Sequence, residues 1–392
     1  MSAAAGELET FRAQVRAFIA GHAPKVKLRA GVRSPETREE LATLRAWTAR
    51  LFEAGYVGAD WPEAYGGDPG HDVLRDVVVA EEIANAGTLQ VPGGCTLAAQ
   101  ALLHFGTDEQ RERYLPRIRS GEDLWCQLFS EPGAGSDLAS LRTKAVRDGD
   151  HYVVTGQKVW TTNGQWADLG YLLARTDPEV PKHKGISAFV LDMSLPGVTV
   201  RPLREITGTS DFNEVFFDDV RVPAAAMIGK PGQGWQIANA SLAHERSGVG
   251  GSVVTVRRNW ESLVELAGRT ERIDDAEVRD RLAAFAAEIQ ALSVHTKLSL
   301  QRWRDGQEQV TDAPVSKLAF SELNLRLAEY ALSLLGPAGV LTEGDSGAVD
   351  GGRWQDAYLY ARAYTIAGGS SEIMRNLIAE RGLGLPREQV AK

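Results

Sequence analysis

The chain has 392 residues, of which 43% are hydrophobic and 24% charged, with a formal net charge of −9. That length calls for two or three packed units of a globular protein, and the acidic balance argues against nucleic acid or an anionic membrane as partner. The two cysteines, Cys95 and Cys126, and the seven histidines offer no metal-ligand spacing and no H-x-x-x-H pair, so no metal site is expected.

The opening MSAAAGELETFRAQ lacks the basic and apolar regions of a secretory signal, and no run of 18 apolar residues occurs. With only two thiols, the cytoplasm is the expected location. Residues 1–125 read as helices. Amphipathic spacing appears near 8–20 and 37–54, and Asp72 stands where it can cap a helix carrying Val73, Val77, Ala80 and Ala84 on one face. From 126 to 230 the pattern changes to short β-branched runs between turn signals. Residues 146–154 predict a hairpin around Asp148-Gly149, and 171–174, 186–191, 198–202 and 215–222 are further strand candidates. Helical periodicity returns at Trp235. Val278, Leu282, Phe285, Ile289 and Leu292 form one apolar stripe, and 316–335 repeats the behaviour.

Two segments carry the chemistry. Leu128-Phe129-Ser130-Glu-Pro-Gly-Ala-Gly135-Ser136-Asp137 gathers hydroxyls and glycines, which let a flat ligand approach the backbone while its polar edge is bonded. Trp160-Thr-Thr162-Asn-Gly places an aromatic and a hydroxyl two residues apart, on one face of a strand. Read singly, the first is a tight turn and the second an ordinary strand. Gly133-Ala-Gly135 lacks the third glycine and the βαβ setting of a dinucleotide fingerprint. Gly229–Gly234 lacks the Lys-Ser/Thr close of a phosphate loop, and no G-x-S-x-G elbow supports acyl hydrolysis.

Five segments, in order, resemble the acyl-CoA dehydrogenase family: Asp60–Gly67 (DWPEAYGG), Ser130–Lys144 (SEPGAGSDLASLRTK), Gly156–Gly164 (GQKVWTTNG), Glu214–Pro223 (EVFFDDVRVP) and Ile366–Arg375 (IAGGSSEIMR). The likeness spans nearly the whole chain. It implies an α+β fold with an N-terminal helical domain (1–125), a middle β-barrel-like domain (126–230) and a C-terminal four-helix bundle (231–392). It also implies FAD as cofactor and an acyl-CoA thioester as substrate. Carried over to this sequence, the flavin contacts are Leu128, Phe129, Ser130, Gly135, Ser136, Trp160 and Thr162, with Ser370 near the ribityl or phosphate portion. Ser136 is expected to touch the CoA arm as well.

Oxidising an acyl thioester to its 2-enoyl product requires a base for the α-proton, best a carboxylate in a water-poor pocket. Most members of the family take that glutamate from the segment matching Ile366–Arg375, where this chain has Gly368 followed by Gly369. The isovaleryl and long-chain types use a glutamate just before an arginine on an earlier bundle helix, and here that position is Glu245-Arg246. The resemblance therefore makes Glu245 the catalytic base and gives Arg246 a place at the acyl-CoA site. By composition alone the pair is a solvated ion pair on a helix.

A neighbouring subunit of homotetrameric members supplies R-x-x-F-G and Q-x-x-G-G segments to the flavin. The stretch 255–280 has no R-x-x-F-G, and Ser333–Gly339 lacks the glutamine and carries Pro337 in place of a glycine, which removes a donor. This pattern resembles heteromeric bacterial dehydrogenases acting on sterol side chains. A homo- or hetero-oligomer is expected, with a heterotetramer containing a related subunit as one form and a divergent homo-oligomer as the other. An electron-transfer flavoprotein or similar acceptor is the expected redox partner. Two rival functions stay open: a flavin-dependent monooxygenase on the same fold, and a non-catalytic subunit of a heteromeric dehydrogenase.

Overall fold

The computed structural model describes residues 3–27, 29–243 and 248–387. Five helices come first: α1 (Ala3–His22), α2 (Arg38–Glu53), α3 (Val73–Ala86), α4 (Gly93–Phe105) and α5 (Asp108–Arg119). Eight strands follow: β1 (Trp125–Leu128), β2 (Lys144–Asp148), β3 (His151–Thr162), β4 (Leu169–Arg175), β5 (Ile186–Asp192), β6 (Val198–Leu203), β7 (Phe212–Pro223) and β8 (Met227–Ile228). The remaining helices are α6 (Gly234–Ala243), α7 (Gly248–Arg269), α8 (Ala276–Arg304), α9 (Asp312–Leu335), α10 (Arg353–Ile366) and α11 (Ser371–Leu377). The predicted helices and strands appear where the periodicity places them. Asp72 caps α3 by accepting from the Leu74 N–H at 3.0 Å. Asp148 pairs with His151 across the hairpin, whose Gly149 takes φ +61°. No helix among the described residues is long and apolar enough to cross a membrane.

The chain divides into two compact units. One comprises Val32–His71 and Leu89–Glu245 and contains the sheet, in the order β6-β7-β3-β2-β4-β5-β8 with β1 beside β4. Alternation along its central strands sends side chains to two cores. Trp125, Tyr171, Leu173, Ile186, Ala188 and Val190 face the helical side, where α4, α5 and α6 contribute Leu102, Leu115 and Ile237. Cys126, Leu128, Leu172, Ala174, Phe189 and Leu191 face the opposite side and meet Val154, Val215 and Val220 of β3 and β7. Strand β1, which no sequence signal marked, runs parallel to β4. It is buried almost throughout, so it shows no polar–apolar alternation to read.

The other unit comprises Met1–Gly31, Asp72–Thr88 and Arg246–Lys392. Helices α7, α8, α9 and α10 enclose a core that includes Val256, Leu263, Phe285, Leu327 and Trp354. All five residues of the α8 stripe are buried. Helices α1 and α3 belong to this unit, where Arg12 and Arg16 converge on the buried Glu82. Together the two units give the mixed α+β architecture that the sequence implied.

Candidate active site

Strand β1 runs directly into the glycine- and serine-rich segment. The Leu128 side chain lies in one sheet core and that of Phe129 in the other, edge-on to Tyr171 at 4.9 Å. Both side chains are committed to packing, so what they present elsewhere is backbone. Glu131 and Ala134 exchange backbone hydrogen bonds of 3.1 and 3.0 Å, closing a tight loop. At Gly133 and Gly135 a Cβ would meet nothing within 4 Å. Ser130 is half-buried and Ser136 exposed. The hydroxyls of Ser130, Ser136 and Thr162 make no hydrogen bond among the described residues.

Trp160 departs from the simple strand that the sequence predicted. The pairing of β3 with β7 shifts register between Lys158 and Thr161, and at that bulge Trp160 adopts φ 61°. A left-handed backbone is rare for a bulky residue and costs on the order of 1–3 kcal/mol. The ring is 60% exposed and lies edge-on to Phe212 at 6.1 Å. Phe212 is the cross-strand partner of Thr162. Trp160 and Thr162 therefore do share a face, but through the bulge rather than through ideal alternation.

Two buried polar knots bracket the strained residue. Before it, the Lys158 ammonium, fully buried, lies 2.8 Å from Glu131 and 2.9 Å from the Phe129 carbonyl. Burial pulls Lys158 down to about 8 against the attraction of Glu131. Burial of Glu131 opposes its charge, but Lys158 with the Thr143 and Arg142 donors outweighs that and holds the carboxyl below its ordinary range. After it, Asn163 (φ 60°) bonds the Ser34 hydroxyl through Oδ1 at 2.7 Å, and Ser34 also donates to the Asp211 carbonyl at 2.9 Å. Asp211 in turn accepts from Arg33 Nη1 at 2.9 Å, and Pro35 accepts from Trp166 Nε1 at 2.6 Å. The sequence held one signal for the first knot: a lysine at an inward strand position shared with Tyr152 and Val154. The second joins residues 34, 163 and 211 and left none.

In the other unit, Ser370 caps α11, its hydroxyl accepting from the Ile373 N–H at 3.4 Å. Gly368 takes φ +66° with open space where a Cβ would stand, and Gly369 takes φ +95°. Lys317 donates to the Gly369 carbonyl at 2.6 Å and holds that turn. Glu245 and Arg246 lie outside the described residues. Among the described residues no group of three His, Cys, Asp or Glu side chains is placed to hold a metal ion.

An exposed aromatic face, three uncommitted hydroxyls and a side-chain-free approach at Gly133 and Gly135 fit a flat heteroaromatic cofactor with a polar edge. The comparisons with known proteins agree. Residues 6–122, 126–220 and 232–383 match the N-terminal, middle and C-terminal domains of acyl-CoA dehydrogenase. Acyl-CoA dehydrogenase IpdE1 of Mycobacterium tuberculosis is 42% identical, the match covering 97% of this chain and 99% of that protein. Among solved structures, the Tcur3481-Tcur3483 steroid ACAD superposes with a TM-score of 0.87 at 31% identity, covering 98% of each chain. The ChsE4-ChsE5 complex from Mycobacterium tuberculosis gives a TM-score of 0.79 at 30% identity, covering 97% of this chain and 98% of the other. With all three domains matched in order over this fold, the chain belongs to the acyl-CoA dehydrogenase family of FAD-dependent enzymes.

Proposed function

We propose that this acyl-CoA dehydrogenase converts a branched or bulky acyl-CoA to its 2-enoyl-CoA, with Glu245 as the base that removes the α-proton. The observation that carries this reading is Gly368. The position of the usual base holds no side chain, and the turn around it takes two left-handed glycines, while Glu245 occupies the alternative place in the sequence. When bound, FAD supplies the acceptor for the β-hydrogen as hydride. The protein's own part is orientation and proton removal. Trp160 covers a face of the isoalloxazine. Ser130, Ser136, Thr162 and the backbone of Leu128, Phe129 and Gly135 bond its edge, with Ser136 reaching the CoA arm. Ser370 serves the ribityl or phosphate end, and Arg246 supports the acyl-CoA site. Proton abstraction of this kind is best served by a carboxylate held in a water-poor pocket, the role that the proposal gives to Glu245.

On this reading 1–125, 126–230 and 231–392 act as helical, β and bundle segments of one cytoplasmic enzyme. The missing R-x-x-F-G segment and Pro337, with the two-component names of the steroid ACAD and of the ChsE4-ChsE5 complex, support a related partner subunit completing the flavin site. Those names, together with the open Gly368, also support a bulky acyl group. An electron-transfer flavoprotein is the proposed acceptor.

Anaerobic titration with straight, branched and cyclic acyl-CoAs tests the reaction class. Bleaching of the flavin with formation of enoyl-CoA is expected, most readily with the bulkier thioesters. Oxygen-dependent hydroxylation without anaerobic bleaching would establish the monooxygenase alternative instead.

A further inference from the structure

Among the described residues, Lys158 is the one buried lysine, and it is wholly removed from solvent. Other inward positions on the same strand, Tyr152 and Val154, are apolar. Burying an ion pair is expensive, and a well-packed hydrophobic group in its place is often neutral or stabilising. The charge therefore calls for a reason other than holding the sheet together.

The contacts supply one. Lys158 Nζ donates 2.9 Å to the Phe129 carbonyl and 2.8 Å to Oε1 of Glu131, gripping the chain on either side of Ser130. Ser130 is itself fixed, since its carbonyl accepts from the Val159 N–H at 2.9 Å. Glu131 is anchored from behind by the Arg142 and Thr143 N–H groups at 2.6 and 2.9 Å. Two residues beyond Lys158 comes the strained Trp160. One ammonium thus ties the serine-rich segment to the strand that carries the aromatic wall.

We propose that Lys158 is a positioning residue for the flavin, its pair with Glu131 fixing the separation between Ser130 and Trp160 and so setting FAD affinity and the surroundings of the isoalloxazine. The inference rests on the assignment of Ser130, Trp160 and Thr162 to the flavin site. A neutral side chain at 158 leaves the Glu131 carboxylate buried without its cation. The serine segment then keeps only the backbone bond from Val159 to the Ser130 carbonyl to hold it beside the bulge. An arginine keeps the charge and the donors, and restores most of the tie.

The test uses the full chain as purified with FAD and any subunit that accompanies it. Lys158→Met, Lys158→Arg and Glu131→Gln are compared by far-ultraviolet circular dichroism, by visible circular dichroism of the flavin, and by FAD titration after deflavination. Lys158→Met is expected to fold, to weaken FAD at least tenfold and to alter the visible band. Glu131→Gln should act in the same direction, and Lys158→Arg should recover most of the affinity. A folded Lys158→Met with FAD affinity within twofold of the parent and an unchanged band would overturn the proposal. So would failure of both Lys158→Met and Glu131→Gln to fold, since the pair would then be a staple of the fold and no more. Trp160→Ala separates the two levels of inference. If it leaves the flavin band unaltered, the site assignment fails; if it alters the band while Lys158→Met does not, only the role of Lys158 fails.

Discussion

Between Leu128 and Asn163 the backbone is held by buried charge and crossed hydrogen bonds, whereas between Ile366 and Ser370 it is held by Lys317 and short local bonds, with open space at Gly368. In the first stretch Glu131, Lys158 and Asn163 are all buried, and the side-chain bonds of Lys158 to Glu131 and of Ser34 to Asn163 join parts of the chain far apart in sequence. In the second, Ile366 is 66% exposed, two glycines take positive φ, and Lys317 reaches in to hold the Gly369 carbonyl. The contrast matches two tasks. On the proposed reading the first stretch is the flavin wall, which needs fixed distances, and its rigidity comes with strain at Trp160. On the same reading the glycine turn at 368–369 carries no base and needs only to leave room.

Substitutions in the two stretches should therefore differ in scale. The larger effect is expected from Asp211→Ala. That carboxylate accepts from Arg33, from Thr209 and from the Ser34 N–H at 2.8–2.9 Å. Its loss removes an ion pair from the largely buried Arg33 guanidinium and the acceptor of the Ser34 N–H beside Asn163. Denaturant unfolding should show a loss of about 3 kcal/mol, together with weaker flavin retention. An unchanged midpoint would break the comparison, because the buried knot would then contribute nothing.

The smaller effect is expected from Gly368→Ala. The new methyl group would meet nothing within 4 Å, so the only penalty is the left-handed backbone. That cost is about 1 kcal/mol, measured in the same way. A loss several times larger would mean that the turn is more tightly constrained than its open surroundings imply.

Most helices and strands were legible because their periodicity is local: the α8 stripe, the Asp72 cap and the Asp148-Gly149 hairpin each lie within a few residues. Strand β1 was not, because a strand buried on both faces carries no alternation. The site divides in the same way. Ser130, Ser136, Trp160 and Thr162 were visible as residue types in a motif. The left-handed φ of Trp160 was not, since the chain must fold before Lys158 meets Glu131 and Ser34 meets Asn163. Ideal alternation gave the correct face for Trp160 and Thr162 while missing the bulge that produces it.

The central claim is that α-proton removal in this chain has passed from the 366–375 segment to Glu245. It is tested most directly by rapid anaerobic mixing of the FAD-loaded Glu245→Gln variant with an acyl-CoA that bleaches the parent enzyme. The account predicts that FAD content and acyl-CoA binding are retained while flavin reduction slows by about 10²–10⁴-fold, the usual contribution of a general base. Flavin reduction at the parent rate would contradict it and assign the proton to another group.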